Sequence, residues 1–76
     1  MTELEWIDIF ADNLVDILKE HEMSQKELAF KCGVAESVIS ALINKQRMPS
    51  IRTIINMSYV LGITTDDLIF FGDMVR

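Results

Sequence analysis

The stretch SQKELAFKCGVAESVISALINKQRMPS, residues 24–50, decides the fold of this chain. Ser24 followed three residues later by Glu27 is a capping box, in which each side chain accepts a hydrogen bond from the other residue's backbone amide. We expect the helix that starts there to run to Cys32. Gly33 ends it, because a residue without a Cβ adopts the left-handed conformation at little cost.

A second helix is predicted over Glu36–Asn44. Two short helices joined by a glycine-containing turn form a helix-turn-helix, here over about residues 24–45. Ala29 is small enough to let the two helices approach where they cross. The outward side of the second helix carries small or polar residues at i, i+3, i+4 and i+7 spacing, namely Ser37, Ser40, Ala41 and Asn44. A surface of that kind enters the major groove of DNA without steric conflict.

The rest of the chain also reads as helix, and no segment alternates with the period of two that a half-buried strand requires. We expect one helix from about Glu5 to His21 and one from a Ser50 cap to Leu61. A short last helix is capped by Thr64 or Thr65 and continues to about Phe71. The prediction is one all-α domain of five helices, spanning residues 1–76.

Several short motifs occur together in this chain: Ser24-Gln25, Leu28-Ala29, Gly33-Val34, Ser37, Ser40, Arg47-x-Pro49-Ser50 and Leu61-Gly62-Ile63-Thr64. Their combination resembles the Cro/C1-type (XRE) family of helix-turn-helix regulators, to which the phage repressors belong. The resemblance covers roughly Phe10 to Phe71. It implies a five-helix, lambda-repressor-like domain that binds double-stranded operator DNA as a dimer.

The resemblance also implies roles for single residues. The positions at which the family reads base edges are occupied by Glu36, Ser37, Ser40 and Ala41. The positions at which it contacts phosphates are occupied by Gln25, Asn44, Lys45 and Arg47. Gln25 lies at a helix N-terminus, which favours an anion in any case.

Three residues depart from the family pattern. Glu36 stands where Gln or Arg is common; its carboxylate can accept from cytosine N4, or it can simply favour the helix N-terminus, and both interpretations stay open. Ala35 replaces the usual Ser or Thr cap, at an expected cost of about 0.5–2 kcal/mol. Lys45 replaces a common Gly and adds a charge beside the expected DNA.

A fourth departure involves two positions at once. Many relatives resemble one another in an Arg–Glu pair between the first helix and the recognition helix, and here those positions hold Leu18 and Ile43. Replacing both members of a buried ion pair is often neutral, whereas losing one strands a charge. We therefore predict that Leu18 and Ile43 touch, within about 4.5 Å.

The apolar residues exceed what one small core can bury. We assign to the core Phe10, Leu14, Ile17, Met23, Leu28, Ile39, Leu42, Ile51, Ile54, Met57, Leu61, Ile63 and Leu68. Among the remainder, Trp6, Phe70, Phe71 and Met74 lie near the chain ends and are expected to form a homodimer interface, which is typically aromatic-rich. The alternative is that both ends fold back on one core. Two-fold symmetry would place the recognition helices about 34 Å apart.

The net charge of -5 argues at first against a nucleic-acid partner. Its distribution changes that conclusion. Residues 1–22 hold seven acidic groups and one basic group, whereas residues 23–52 hold five basic and two acidic groups. The helix-turn-helix third is therefore basic, and we expect modest, salt-sensitive DNA affinity.

Other classes of protein find little support in the sequence. Cys32 is the single cysteine and is expected to be a buried apolar residue rather than a reactive thiol. We find no catalytic constellation, no metal-ligand cluster and no cofactor motif, and therefore predict a protein that is not an enzyme and has no evident small-molecule substrate. The acidic N-terminus and the short apolar runs predict a cytoplasmic protein without membrane contact. The resemblance to the phage-repressor family implies a bacterial or phage origin.

Two functions of different classes follow. The first is a sequence-specific transcriptional regulator, in particular a repressor, for which a prophage or other mobile element is a candidate origin. The second is a protein-interaction module of the same fold, such as an antitoxin or antirepressor-like subunit, with little affinity for DNA. The acidic total and Glu36 motivate the second.

Overall fold

A computed structural model describes residues 2–70, with Phe70 described by its backbone alone. The helices are α1 (Glu3–Glu20), α2 (Gln25–Cys32), α3 (Glu36–Ile43), α4 (Ile51–Leu61) and α5 (Thr65–Phe70). No strand occurs within the described residues. The five-helix, all-α prediction is confirmed.

The first helix begins earlier than predicted, because a capping box that the sequence analysis missed lies at its start. Thr2 Oγ1 accepts from the Glu5 amide at 3.2 Å, and the Glu5 carboxylate accepts from the Thr2 amide at 2.8 Å. The hydrogen bond that the Thr2 amide donates to the carboxylate lowers the pKa of the Glu5 carboxyl, since it favours the charged form, and the Thr2 side chain adds to this effect. At its other end α1 stops at Glu20, one residue before the predicted end, because His21 is the C-cap residue.

The predicted caps of the later helices form, with one correction. Ser24 Oγ accepts from the Glu27 amide at 3.0 Å, but the Glu27 carboxylate lies 3.3 Å from Lys31 Nζ instead of returning to Ser24. Ser50 caps α4, and Thr64 rather than Thr65 caps α5.

Four helices end in the same backbone motif, with one residue in the left-handed region. Gly33 and Gly62 occupy that position after α2 and α4, at φ 71° and 67°. Glu22 and Lys45 occupy it after α1 and α3, at φ 53° and 63°. After α3, the amides of Lys45 and Gln46 donate to the carbonyls of Leu42 and Ala41, at 3.2 and 2.9 Å. That pair of bonds is the Schellman motif, and it stops α3 at Ile43, one residue before the predicted end.

The core lies where α1 and α2 meet the other helices. α1 packs against α3 and α5, α2 against α3 and α4, and α4 against α5. Among the described residues, the buried apolar ones are Phe10, Ala11, Leu14, Ile17, Leu18, Leu28, Ala29, Cys32, Ile39, Leu42, Ile54, Met57, Leu61 and Leu68. Most of the predicted core is therefore correct, and Met23 and Ile63 are half-buried at its edge.

One core prediction is wrong: Ile51 is 76 % exposed. It is the first residue of α4, and the buried side of that helix is set instead by Ile54, Met57, Ser58 and Leu61. Ile51, Ile55 and Tyr59 follow one another at i+4 intervals, so they lie along one exposed side of the helix, next to its buried side.

Candidate nucleic-acid interface

The helix α3 is held against α1 and α2 by two fully buried side chains. Ile39 and Leu42 are 0 % and 1 % exposed, and Ala29 of α2 is buried in the same core. Because these residues fix one side of α3, the opposite side faces outward. That anchoring is what a recognition helix requires, since a loosely held helix would not keep its side chains in register with bases.

The predicted base-reading residues lie along this outward side. Glu36 and Ser37 are exposed in the first turn, and Ser40 and Ala41 are half-buried in the second. Asn44 extends this row of outward side chains, and its side-chain amide donates a hydrogen bond to Ser40 Oγ at 3.3 Å. The structure thus brings the row together on one side of α3, and its contact with bases stays a prediction.

The N-terminal end of α3 lacks a side-chain cap, as predicted. Ala35 occupies the N-cap position with an extended backbone, and no side chain accepts from the first-turn amides. Glu36 follows it as the acidic residue of the first turn. A carboxylate there stabilises the positive end of the helix dipole. Neither interpretation of Glu36 is excluded by this position.

Gln25 is the first residue of α2 and is half-buried. Its side chain lines a shallow depression of about 370 Å³ together with Leu18 and Ile43. Leu18 is buried and Ile43 is half-buried against the same core. The two residues therefore share one apolar surface, and their predicted contact distance stays a prediction.

Lys45, in the loop after α3, forms ion pairs with two carboxylates. Its Nζ lies 2.7 Å from Asp8 Oδ1 and 3.4 Å from Asp12 Oδ1, both on α1. The hydrogen bond with Asp8 contributes most to raising the pKa of Lys45, and Asp12 adds to it. Neither carboxylate is predicted from the sequence. They lie four residues apart and so share one side of α1, but nothing in the sequence indicates that this side faces the end of α3.

Arg47 is exposed in the same loop, three residues after the α3 cap at Asn44. It pairs with no carboxylate of residues 2–70. Its guanidinium is therefore available to bind a phosphate with two parallel hydrogen bonds. Of the two cations predicted to contact phosphates, Lys45 pairs with carboxylates of α1, whereas Arg47 has no carboxylate partner among residues 2–70.

The predicted dimer residues are only partly within the described chain. Trp6 is half-buried and stacks on Phe10, with ring centroids 5.4 Å apart and planes at 19°. Phe71 and Met74 lie outside the described residues, and the side chain of Phe70 does too. A second apolar surface, which the sequence analysis did not identify, is the exposed α4 side of Ile51, Ile55 and Tyr59. Its i+4 spacing was the available signal.

Within the described residues, no group of three or more His, Cys, Asp or Glu side chains could hold a metal ion. No helix among residues 2–70 is both long and apolar enough to span a membrane.

Comparison with known proteins agrees with this geometry. A family model described as helix-turn-helix matches residues 14–68, which is more than half of the chain. The matched segment runs from the middle of α1 into α5, so it includes α2, α3 and the core that supports them. Neither a curated protein nor a solved structure gives a match. The chain belongs to the Cro/C1-type (XRE) family of helix-turn-helix domains, the DNA-binding domains of transcription regulators.

Proposed function

We propose that this protein is a sequence-specific repressor that binds operator DNA as a homodimer, with α3 as the recognition helix. The observation that carries the proposal is the contrast between the two sides of α3. Ile39 and Leu42 are fully buried, while the outward side ends in the short, polar or small side chains of Ser37, Ser40 and Ala41. In this proposal the protein is located in the cytoplasm of a bacterium, the compartment that holds the DNA.

Sequence discrimination comes from contacts with base edges in this proposal. Serine hydroxyls both donate and accept, and the Ala41 methyl suits contact with a thymine methyl group. Glu36 adds an acceptor at the end of the row, which favours a cytosine there. Gln25, Asn44 and Arg47 bind phosphates and fix the register of α3, but they do not themselves read sequence.

Selection of bound duplexes from a random pool tests the proposal and returns the operator. Against that operator, Ser37→Gln and Ala41→Gln should each change the preferred base at one position, because the new side chain projects into the groove. Arg47→Ala should weaken all sequences alike and reduce the salt slope by about 1. Arg47→Lys keeps the charge and is the matched control. A pool that yields no enriched sequence would overturn the proposal.

The dimer is proposed to form through the chain ends, where Trp6, Phe70, Phe71 and Met74 lie. Sedimentation of Phe71→Ser, Met74→Ser and Tyr59→Ser variants locates the interface. If the chain-end variants are monomeric and Tyr59→Ser is dimeric, the proposal holds. The reverse result places the interface on the exposed side of α4, and a monomeric unmodified protein at tens of micromolar would contradict the dimer itself.

The second candidate is a protein-interaction module with little DNA affinity. The exposed apolar side of α4 favours it, because a row of large apolar side chains on a small domain marks a surface for a partner. The same selection separates the two functions, since an interaction module would enrich no duplex at any salt concentration.

A further inference from the structure

Lys45 is held in place by backbone and by charge at the end of the recognition helix. The Schellman bonds after α3 fix its backbone in the left-handed region, at φ 63°. Its side chain then reaches α1, where Nζ lies 2.7 Å from Asp8 and 3.4 Å from Asp12. One ammonium group thus meets two carboxylates, and this corner of the molecule carries a net negative charge.

The three groups are all partly open to solvent. The side chains of Lys45, Asp8 and Asp12 are 42 %, 59 % and 70 % exposed. Ion pairs with this exposure are weak, because water screens them and side-chain entropy opposes them. A DNA phosphate close to the end of α3 can therefore exchange with the carboxylates as the partner of Lys45.

We propose that Asp8 and Asp12 act as internal competitors of the DNA backbone for Lys45, and so lower the affinity of the domain and limit its salt dependence. This inference rests on the DNA-binding function proposed above. In the free protein the carboxylates occupy the ammonium group that would otherwise bind a phosphate. Binding a phosphate through Lys45 also leaves two uncompensated negative charges near the DNA. In this proposal Asp8 and Asp12 affect DNA binding through Lys45, whose ammonium group they pair with in the free protein.

A double-mutant cycle tests the coupling. Binding of a selected duplex is measured by fluorescence anisotropy at several salt concentrations for four proteins: unmodified, Lys45→Gln, Asp8→Asn/Asp12→Asn and the triple variant. We expect Lys45→Gln to weaken the unmodified protein by less than about twofold, because the ammonium contributes little there. Asp8→Asn/Asp12→Asn should tighten binding about three- to tenfold and steepen the salt slope by about 0.9, the value for one added phosphate contact.

The triple variant decides the mechanism. In the Asp8→Asn/Asp12→Asn background, Lys45→Gln should remove most of the added affinity and the added slope. If Lys45→Gln has the same effect in both backgrounds, the carboxylates act by general repulsion and the inference is overturned. Asp16→Asn/Glu20→Gln is the matched control, because it removes two charges from exposed positions four residues apart on the same helix. That control should change affinity by less than about twofold.

Two further measurements separate the possible failures. The ¹⁵N shift of the Lys45 ammonium should change on Asp8→Asn/Asp12→Asn in the absence of DNA, and an unchanged shift would contradict the ion pairs themselves. Thermal melts establish that each variant is folded. Absence of duplex binding by every folded variant would overturn the proposed function and this role of Lys45 with it. Binding without coupling would overturn the inference alone.

Discussion

The side-chain amide of Asn13 donates to the carbonyl oxygen of Ile69 at 2.7 Å and ties the end of α5 to the middle of α1. Asn13 is only 4 % exposed, so this hydrogen bond lies within the apolar contact of the two helices. The carbonyls in the last turn of a helix have no partner within the helix. Asn13 supplies one for Ile69, and so stabilises the docking of a helix only six residues long.

Replacing Asn13 tests how much this bond contributes. Asn13→Leu fills a similar volume but leaves the Ile69 carbonyl without its donor, so we expect the free energy of unfolding to fall by about 1–3 kcal/mol. Urea denaturation measures the change. Asn13→Asp is the second variant: it keeps the shape, loses the donor and adds a buried charge. Its loss should be at least as large, and an unchanged midpoint for both variants would show that the bond contributes nothing.

Replacing Glu22 with glycine should stabilise the folded protein. It ends α1 in the left-handed region at φ 53°. A side chain costs about 1–2 kcal/mol there, against about 0.5–1 kcal/mol for the extra backbone entropy that glycine loses on folding. Glu22→Gly should therefore raise the free energy of unfolding by roughly 0.75 kcal/mol, the difference between the midpoints of these two costs. Glu22→Ala is the control, because it removes the charge but keeps the Cβ, and it should recover less than half of the gain.

The helix ends also show which parts of the fold were readable from sequence. Gly33 and Gly62 identify two left-handed ends, because glycine is common at such positions. Glu22 and Lys45 adopt the same conformation without any signal in residue type, since the required φ is set by the packing of the helices they join. The ends of α1 and α3 were accordingly misplaced by one residue.

In the candidate site, too, one part could be predicted from the sequence and another part could not. The outward row on α3 was predictable, because helical periodicity relates residues three and four apart. The contact of Lys45 with Asp8 joins residues 37 positions apart and depends on how α1 crosses α3. No local pattern encodes that crossing. The exposure of Ile51 was missed for a related reason: its hydrophobicity favours burial, but its place on α4 turns it away from the core.

Ala35 offers a stabilising change next to the proposed interface. The N-cap of α3 has no side-chain acceptor for the first-turn amides. Ala35→Ser supplies one, and we expect the free energy of unfolding to rise by about 1 kcal/mol. Ala35→Val is the control, since it adds atoms without an acceptor and should give no gain. Chemical denaturation measures both, and equal stability of the Ser and Val variants would contradict the missing cap.

Cys32 should be protected in the folded protein. It is 8 % exposed in the core between α2 and its neighbours, and burial raises the pKa of its thiol. The thiolate is the reactive form, so a disulfide reagent should modify the native protein only as fast as α2 opens. We expect slow modification in buffer and rapid modification in urea. Rapid modification of the folded protein would contradict the burial.

The raised pKa of the Cys32 thiol also predicts how the free energy of unfolding depends on pH. A raised pKa in the folded state means that folded Cys32 keeps its proton at a pH where the unfolded thiol, near its ordinary value of 9.0, loses it. The contribution of the thiol to the free energy of unfolding is therefore fully present below the unfolded pKa. It is lost as the pH rises from the unfolded pKa through the folded pKa. Cys32→Ala lacks the titrating group. The free energy of unfolding of the unmodified protein should fall more steeply than that of Cys32→Ala between pH 8 and 10, roughly the range in which the unfolded thiol ionises. Parallel curves would show that the thiol is equally solvated in both states.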